Sequence, residues 1–107
     1  MPWYGKTAPI TNPQAGSQLV TTGWIYDTGD YEAQVFVWSS ATSEFQIDFR
    51  LHNSSDAVQV SQRFVVSGWC YASIGSILIS GQNRLCICVV PSVSGDVVAS
   101  LSLARKG

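Results

Sequence analysis

The stretch Glu44-Phe45-Gln46-Ile47-Asp48-Phe49-Arg50-Leu51-His52 decides the fold. Phe45, Ile47, Phe49 and Leu51 alternate without a break with Glu44, Gln46, Asp48, Arg50 and His52. On an extended strand this period of two sends one row into a core and the other towards water. On a helix the same apolar residues would scatter around the whole circumference. Asn53-Ser54-Ser55-Asp56 then ends the strand as a polar loop.

Neighbouring segments repeat the pattern. Between Tyr31 and Ser39 one row is Tyr31, Ala33, Val35 and Val37, and the opposite row is Glu32, Gln34, Phe36 and Trp38. Ala57 to Val66 reads as a further strand or pair of strands. The segment from Trp69 to Ser80 is interrupted at Gly75, with Ser76 to Ser80 its strand-like part. Leu85 to Val90 is apolar on both faces, the mark of an inner strand. Val97, Ala99, Leu101 and Leu103 form a last inward row. Turn residues separate these runs at Asp27-Thr28-Gly29-Asp30 and Gly81-Gln82-Asn83. Strands recurring about every 10 residues with no helical period predict an all-β chain, a single antiparallel β-sandwich or jelly-roll-like domain over residues 17–107.

Residues 1–16 stand apart as an extended N-terminal arm, because three of the four prolines fall there. The arm carries Trp3, Tyr4 and Ile10, which are costly to leave in water, so it is expected to dock on its own domain or on a neighbour. Two roles follow: a strap that reaches another subunit, or a cover for the arm's own sandwich.

Composition narrows the function. Of 107 residues, 46% are hydrophobic and only 12% charged, about half the usual charged share. Too few charges remain to coat a monomer, which predicts a homo-oligomer or another partner on an apolar surface. A net charge of −1 and no basic run beyond Arg105-Lys106 argue against nucleic acid. No apolar run approaches the roughly 20 residues that span a bilayer. Met1 to Gly16 lacks the order of a signal peptide, so synthesis in a cytoplasm is expected.

No catalytic, cofactor or metal site is expected. Cys70, Cys86 and Cys88 match no zinc spacing and read as small, buried, reduced hydrophobes. His52 reads as a lone surface histidine at a loop edge. Glu44 and Asp48 share a face, but roughly 13 Å apart, beyond the roughly 5–9.5 Å of paired glycosidase carboxylates. Asp48 and Arg50 read as a solvated ladder with cross-strand partners. The suggestive set is the four tryptophans, Trp3, Trp24, Trp38 and Trp69. Phe36 and Trp38 lie opposite an aliphatic row, so they serve either a protein interface, where aromatics are enriched, or a sugar platform. Trp3, Tyr4, Ile10, Phe36 and Trp38 are the candidate partner-binding residues.

The order of Gly29-Asp30-Tyr31-Glu32-Ala33-Gln34-Val35-Phe36-Val37, Glu44 to Asn53, Asn83-Arg84-Leu85-Cys86-Ile87 and Gly95-Asp96-Val97-Val98-Ala99-Ser100-Leu101 resembles small β-sandwich virion proteins of tailed bacteriophages, especially capsid decoration (cement) proteins. The resemblance implies a non-enzymatic homotrimer on the outer capsid surface, assembled in the host cytoplasm. Its partner would be the major capsid protein, whose neighbouring subunits it would clamp, often through an N-terminal arm. The alternative is a glycan-binding β-sandwich module or a tail-fibre or base-plate component.

Overall fold

The computed structural model describes the backbone of residues 3–6 and all of residues 9–106. Nine strands follow one another: β1 Trp3–Lys6, β2 Ile10–Thr11, β3 Gln18–Thr21, β4 Gly29–Ser39, β5 Phe45–His52, β6 Val58–Val66, β7 Trp69–Ile79, β8 Arg84–Val89 and β9 Asp96–Arg105. The described residues include no helix. Two sheets pack face to face. One runs β1-β9-β4-β7, with β2 also on β9, and the other runs β3-β8-β5-β6. Every strand pairing is antiparallel.

The alternating rows face each other as their period requires. Phe45, Ile47, Phe49 and Leu51 are buried from one sheet, and Val35, Val37, Val97, Ala99, Leu101 and Leu103 from the other. β8 lies between β3 and β5 with Leu85 to Val89 all buried, as expected of a strand apolar on both faces. The expected interruption at Gly75 is instead a bulge within a continuous β7. Tyr31 pairs with Ile77 and Ala33 with Ile74, so Gly75 and Ser76 together oppose Glu32. One extra residue is accommodated without ending the ladder.

The N-terminal residues belong to the first sheet. β1 pairs with β9 from Trp3 opposite Ser102 to Lys6 opposite Ser100, and Ile10 pairs with Val97. Pro9 and Pro13 lie just outside the two-residue β2, which they help to keep short. Asn12 then clasps the β8–β9 connection: its N–H donates to the Gly95 carbonyl and its Oδ1 accepts from the Gly95 N–H, each at 2.8 Å. Gly95 is required there. Its φ is +130°, and a Cβ would sit 3.0 Å from Ser40 Oγ. The Val93 N–H donates to the buried Pro13 carbonyl at 3.0 Å. Of the two expected docking places, the described residues of the arm use their own domain. Deleting residues 1–14 is therefore expected to lower the melting temperature by several degrees, at roughly 4–8 °C per kcal/mol in a domain this small. An unchanged calorimetric melt would show that these pairings carry no stability.

Candidate functional site

The outer face of the β1-β9-β4-β7 sheet carries the most unusual surface. Because side chains alternate along β4, burying Val35 and Val37 sends Phe36 and Trp38 outward. β7 obeys the same rule from the other side. Trp69 lies opposite Trp38, and Tyr71 lies opposite Phe36. Phe36 is 43% exposed, Trp38 45%, Trp69 62% and Tyr71 53%. Directly opposed residues hold their Cβ atoms about 4.5–5.5 Å apart, and the two rungs are about 7 Å apart along the strands. Four rings thus share one patch. Among the described residues its margin is uncharged: Gln34 opposite Ser73 on the next outward rung, and Ser100 and Val98 opposite Phe36 and Trp38 on β9. The acidic residues of this face, Glu32 and Asp30, stand farther along β4.

The sequence-predicted residues divide. Phe36 and Trp38 are on the exposed face as expected. Ile10 is partly buried against the core, so it anchors β2 and offers little free surface. The side chains of Trp3 and Tyr4 lie outside the described residues. Trp69 and Tyr71 complete the patch and were missing from the candidate set. The signal was available in Trp69-Cys70-Tyr71, two aromatics one residue apart, as in Phe36-Val37-Trp38.

The outer face of the second sheet corrects two expectations. His52 is not a surface histidine but is 7% exposed. Its Nε2 is 3.3 Å from Cys86 Sγ, and its Nδ1 is 3.0 Å from the Asp56 carbonyl and 3.3 Å from the Asp56 carboxylate. Asp48 is not solvated but is 3% exposed. Its cross-strand partner is Arg63, which donates at 2.8 and 3.2 Å, while Arg50 donates at 3.2 Å. Long arginine side chains lie over this face and take the place of a further structural layer. The Arg63 hydrogen bonds hold the Asp48 carboxyl below its usual range against the upward push of burial, and Arg50 adds to the downward pull.

A carboxylate favoured in this way stabilises the fold above its unfolded value of 3.8 and loses that contribution as pH falls below it. Wild type is expected to exceed Asp48→Asn in stability at pH 7, with the gap narrowing in melts below pH 3.8. A gap independent of pH would refute the ion-pair account.

Cys70, Cys86 and Cys88 are all free thiols; Cys86 and Cys88 are buried, and Cys70 is half-buried. Cys86 and Cys88 sulfurs are 3.6 Å apart. Their hydrogen bond lowers Cys88 to about 7 and raises Cys86. Thiol, imidazole and carboxylate stand in the order of a nucleophile, base and orienting group. Cys86 has no exposed surface, however, so no substrate atom reaches its sulfur in this conformation. Among the described residues, no group of three or more His, Cys, Asp or Glu side chains is placed to hold a metal ion.

Fold and surface together define a two-sheet antiparallel β-sandwich with an open aromatic face. No protein-family model matches the sequence, and neither does any curated protein. Among solved structures the chain is similar to one titled "CBM4 structure and function", with a TM-score of 0.66 and 8% identity over 98% of this chain and 77% of that one. At this identity the likeness is one of fold.

Proposed function

We propose that the chain is a glycan-binding module that stacks sugar rings on Phe36, Trp38, Trp69 and Tyr71. The carrying observation is the exposure of four aromatic side chains in two directly opposed pairs on one sheet face. A sugar ring has an apolar face and a rim of hydroxyls. The rings cover the first, and Gln34, Ser73 and Ser100 lie close enough in register to bond the second. Among the described residues no charged side chain sits within the four-ring patch, and a margin of Gln34, Ser73 and Ser100 suits the hydroxyls of a neutral glycan. The fold likeness to a carbohydrate-binding module supports the same reading.

The capsid-clamping reading uses an arm that reaches a neighbour. The pairing of Trp3–Lys6 and Ile10–Thr11 with β9 of the same chain favours the glycan reading over it. Affinity electrophoresis through gels containing neutral polysaccharides tests the proposal. Retardation by at least one, and none by a polyuronate, is expected. Unretarded migration through every neutral polysaccharide would overturn it.

A further inference from the structure

The sandwich is unevenly finished at its edges, and the exception points to a second copy of the chain. Three of the edges are blunted. β1 and β3 have four residues each and β2 has two. β7 is long but bulged at Gly75, whose carbonyl accepts a hydrogen bond from Lys106 Nζ at 2.8 Å. Short strands, bulges and lysines are the usual protections of a sheet edge.

β6 has little of this. Its nine residues pair on one side with β5, and among the described residues no strand pairs with the other side. Its one register shift lies at the far end, beside Gln59, so Val60 to Val66 stays regular against Leu51 to Phe45. It holds no proline and no lysine. Val60 faces inward, opposite Leu51, yet is 46% exposed; Val65, on the outer face, is 51% exposed. Between β6 and β7 the two layers part around an apolar cleft of about 280 Å³, lined by Phe49, Leu51, Val60, Ile74, Ile77 and Leu78 among others. Leu78 at its mouth is 70% exposed.

We propose that β6 pairs antiparallel with β6 of a second copy about a two-fold axis through Gln62. Gln62 is the midpoint of Val58–Val66, so this register overlaps the strand completely. It sets Val60 opposite the partner's Phe64 on the cleft side, covering both, and Gln62 opposite the partner's Gln62. The single charge of β6, Arg63, then faces the partner's Ser61. Moving the axis one residue towards the C-terminus, onto Arg63, would set the two Arg63 side chains against each other, and like charges directly opposite are unfavourable. Arg63 is in any case neutralised by Asp48 of its own chain. The two β3-β8-β5-β6 sheets become one continuous sheet of eight strands, a closed isologous dimer.

Sedimentation and disulfide trapping test this in a Cys70→Ser background. The protein is expected to sediment as a dimer at ~100 µM, and Val60→Lys as a folded monomer, since a half-exposed edge position tolerates a charge that pairing does not. Under oxidised glutathione, Gln62→Cys should trap a covalent dimer, because that residue meets itself at the axis. Val58→Cys should not, because its counterpart lies about 27 Å away. A monomer or a trimer in the wild type would overturn the proposal. So would trapping through Val58→Cys, or a dimer dissolved by Trp38→Ala with Trp69→Ala but kept by Val60→Lys.

Discussion

Phe49→Ala is expected to destabilise the chain by about 3–5 kcal/mol, the usual cost of emptying a buried phenylalanine site. Phe49 is 1% exposed and stands on the central part of β5, between β8 and β6. Ile47 and Leu51 hold the positions on either side of it in the same inward row, and both are buried, so the vacated space has little to collapse into. At roughly 4–8 °C per kcal/mol the melting temperature should fall by more than about 12 °C. Val60 is the matched control. It is on the same inward side of the sheet yet half exposed within one chain, so at a dilution where the chain is monomeric Val60→Ala should cost under about 1 kcal/mol. Urea titration of both variants measures the difference. Equal, small losses would mean that the register of β5 is wrong, because a slip of one residue turns every side chain to the other face.

The second large effect is on binding. Each tryptophan of the patch has roughly half of its surface free to cover a sugar ring. Burying such a ring contributes about 1.5–3 kcal/mol, which corresponds to about 10- to 150-fold in affinity. Trp38→Ala with Trp69→Ala should therefore weaken glycan binding by at least about 100-fold. Stability should change little, because both side chains point away from the core. Tyr26→Ala is the control: the side chain is 66% exposed but lies on the loop before β4, away from the patch. Loss of binding in this control, or retention in the double variant, would place the sugar elsewhere.

The sequence was most legible where a strand has one dry and one wet face. Glu44 to His52 is such a strand, and all four of its apolar residues are core. Leu85 to Val90 was legible for the opposite reason, since a strand dry on both sides has no polar row. The same logic misled at His52 and Asp48. They occupy the polar row, whose Glu44 and Gln46 are exposed as expected, but Asp48 and His52 lie beside Arg50, Arg63 and Arg84, and a period of two does not register cover supplied by long side chains. β6 was legible as a strand, but its exposure was not: Val58, Val60 and Val65 are exposed because the sheet order puts β6 at an edge, which no single segment's pattern shows.

Half of the aromatic site was visible from Phe36 and Trp38. The other half depended on which strand lies beside β4, and strand order is not written in a single segment's pattern. The break at Gly75 hid it further by making β7 look like two pieces.

The most direct test of the aromatic face is the movement of indole N–H resonances during titration with neutral oligosaccharides. Trp38 and Trp69 stand in the proposed site, whereas Trp24 is half-buried beneath Arg84, whose guanidinium lies 5.7 Å from its ring. The account predicts that the signals of Trp38 and Trp69 shift together along one saturable curve while Trp24 stays in place. Saturable shifts at Trp24 with Trp38 and Trp69 unmoved, or no shift at any indole with any neutral glycan, would contradict it.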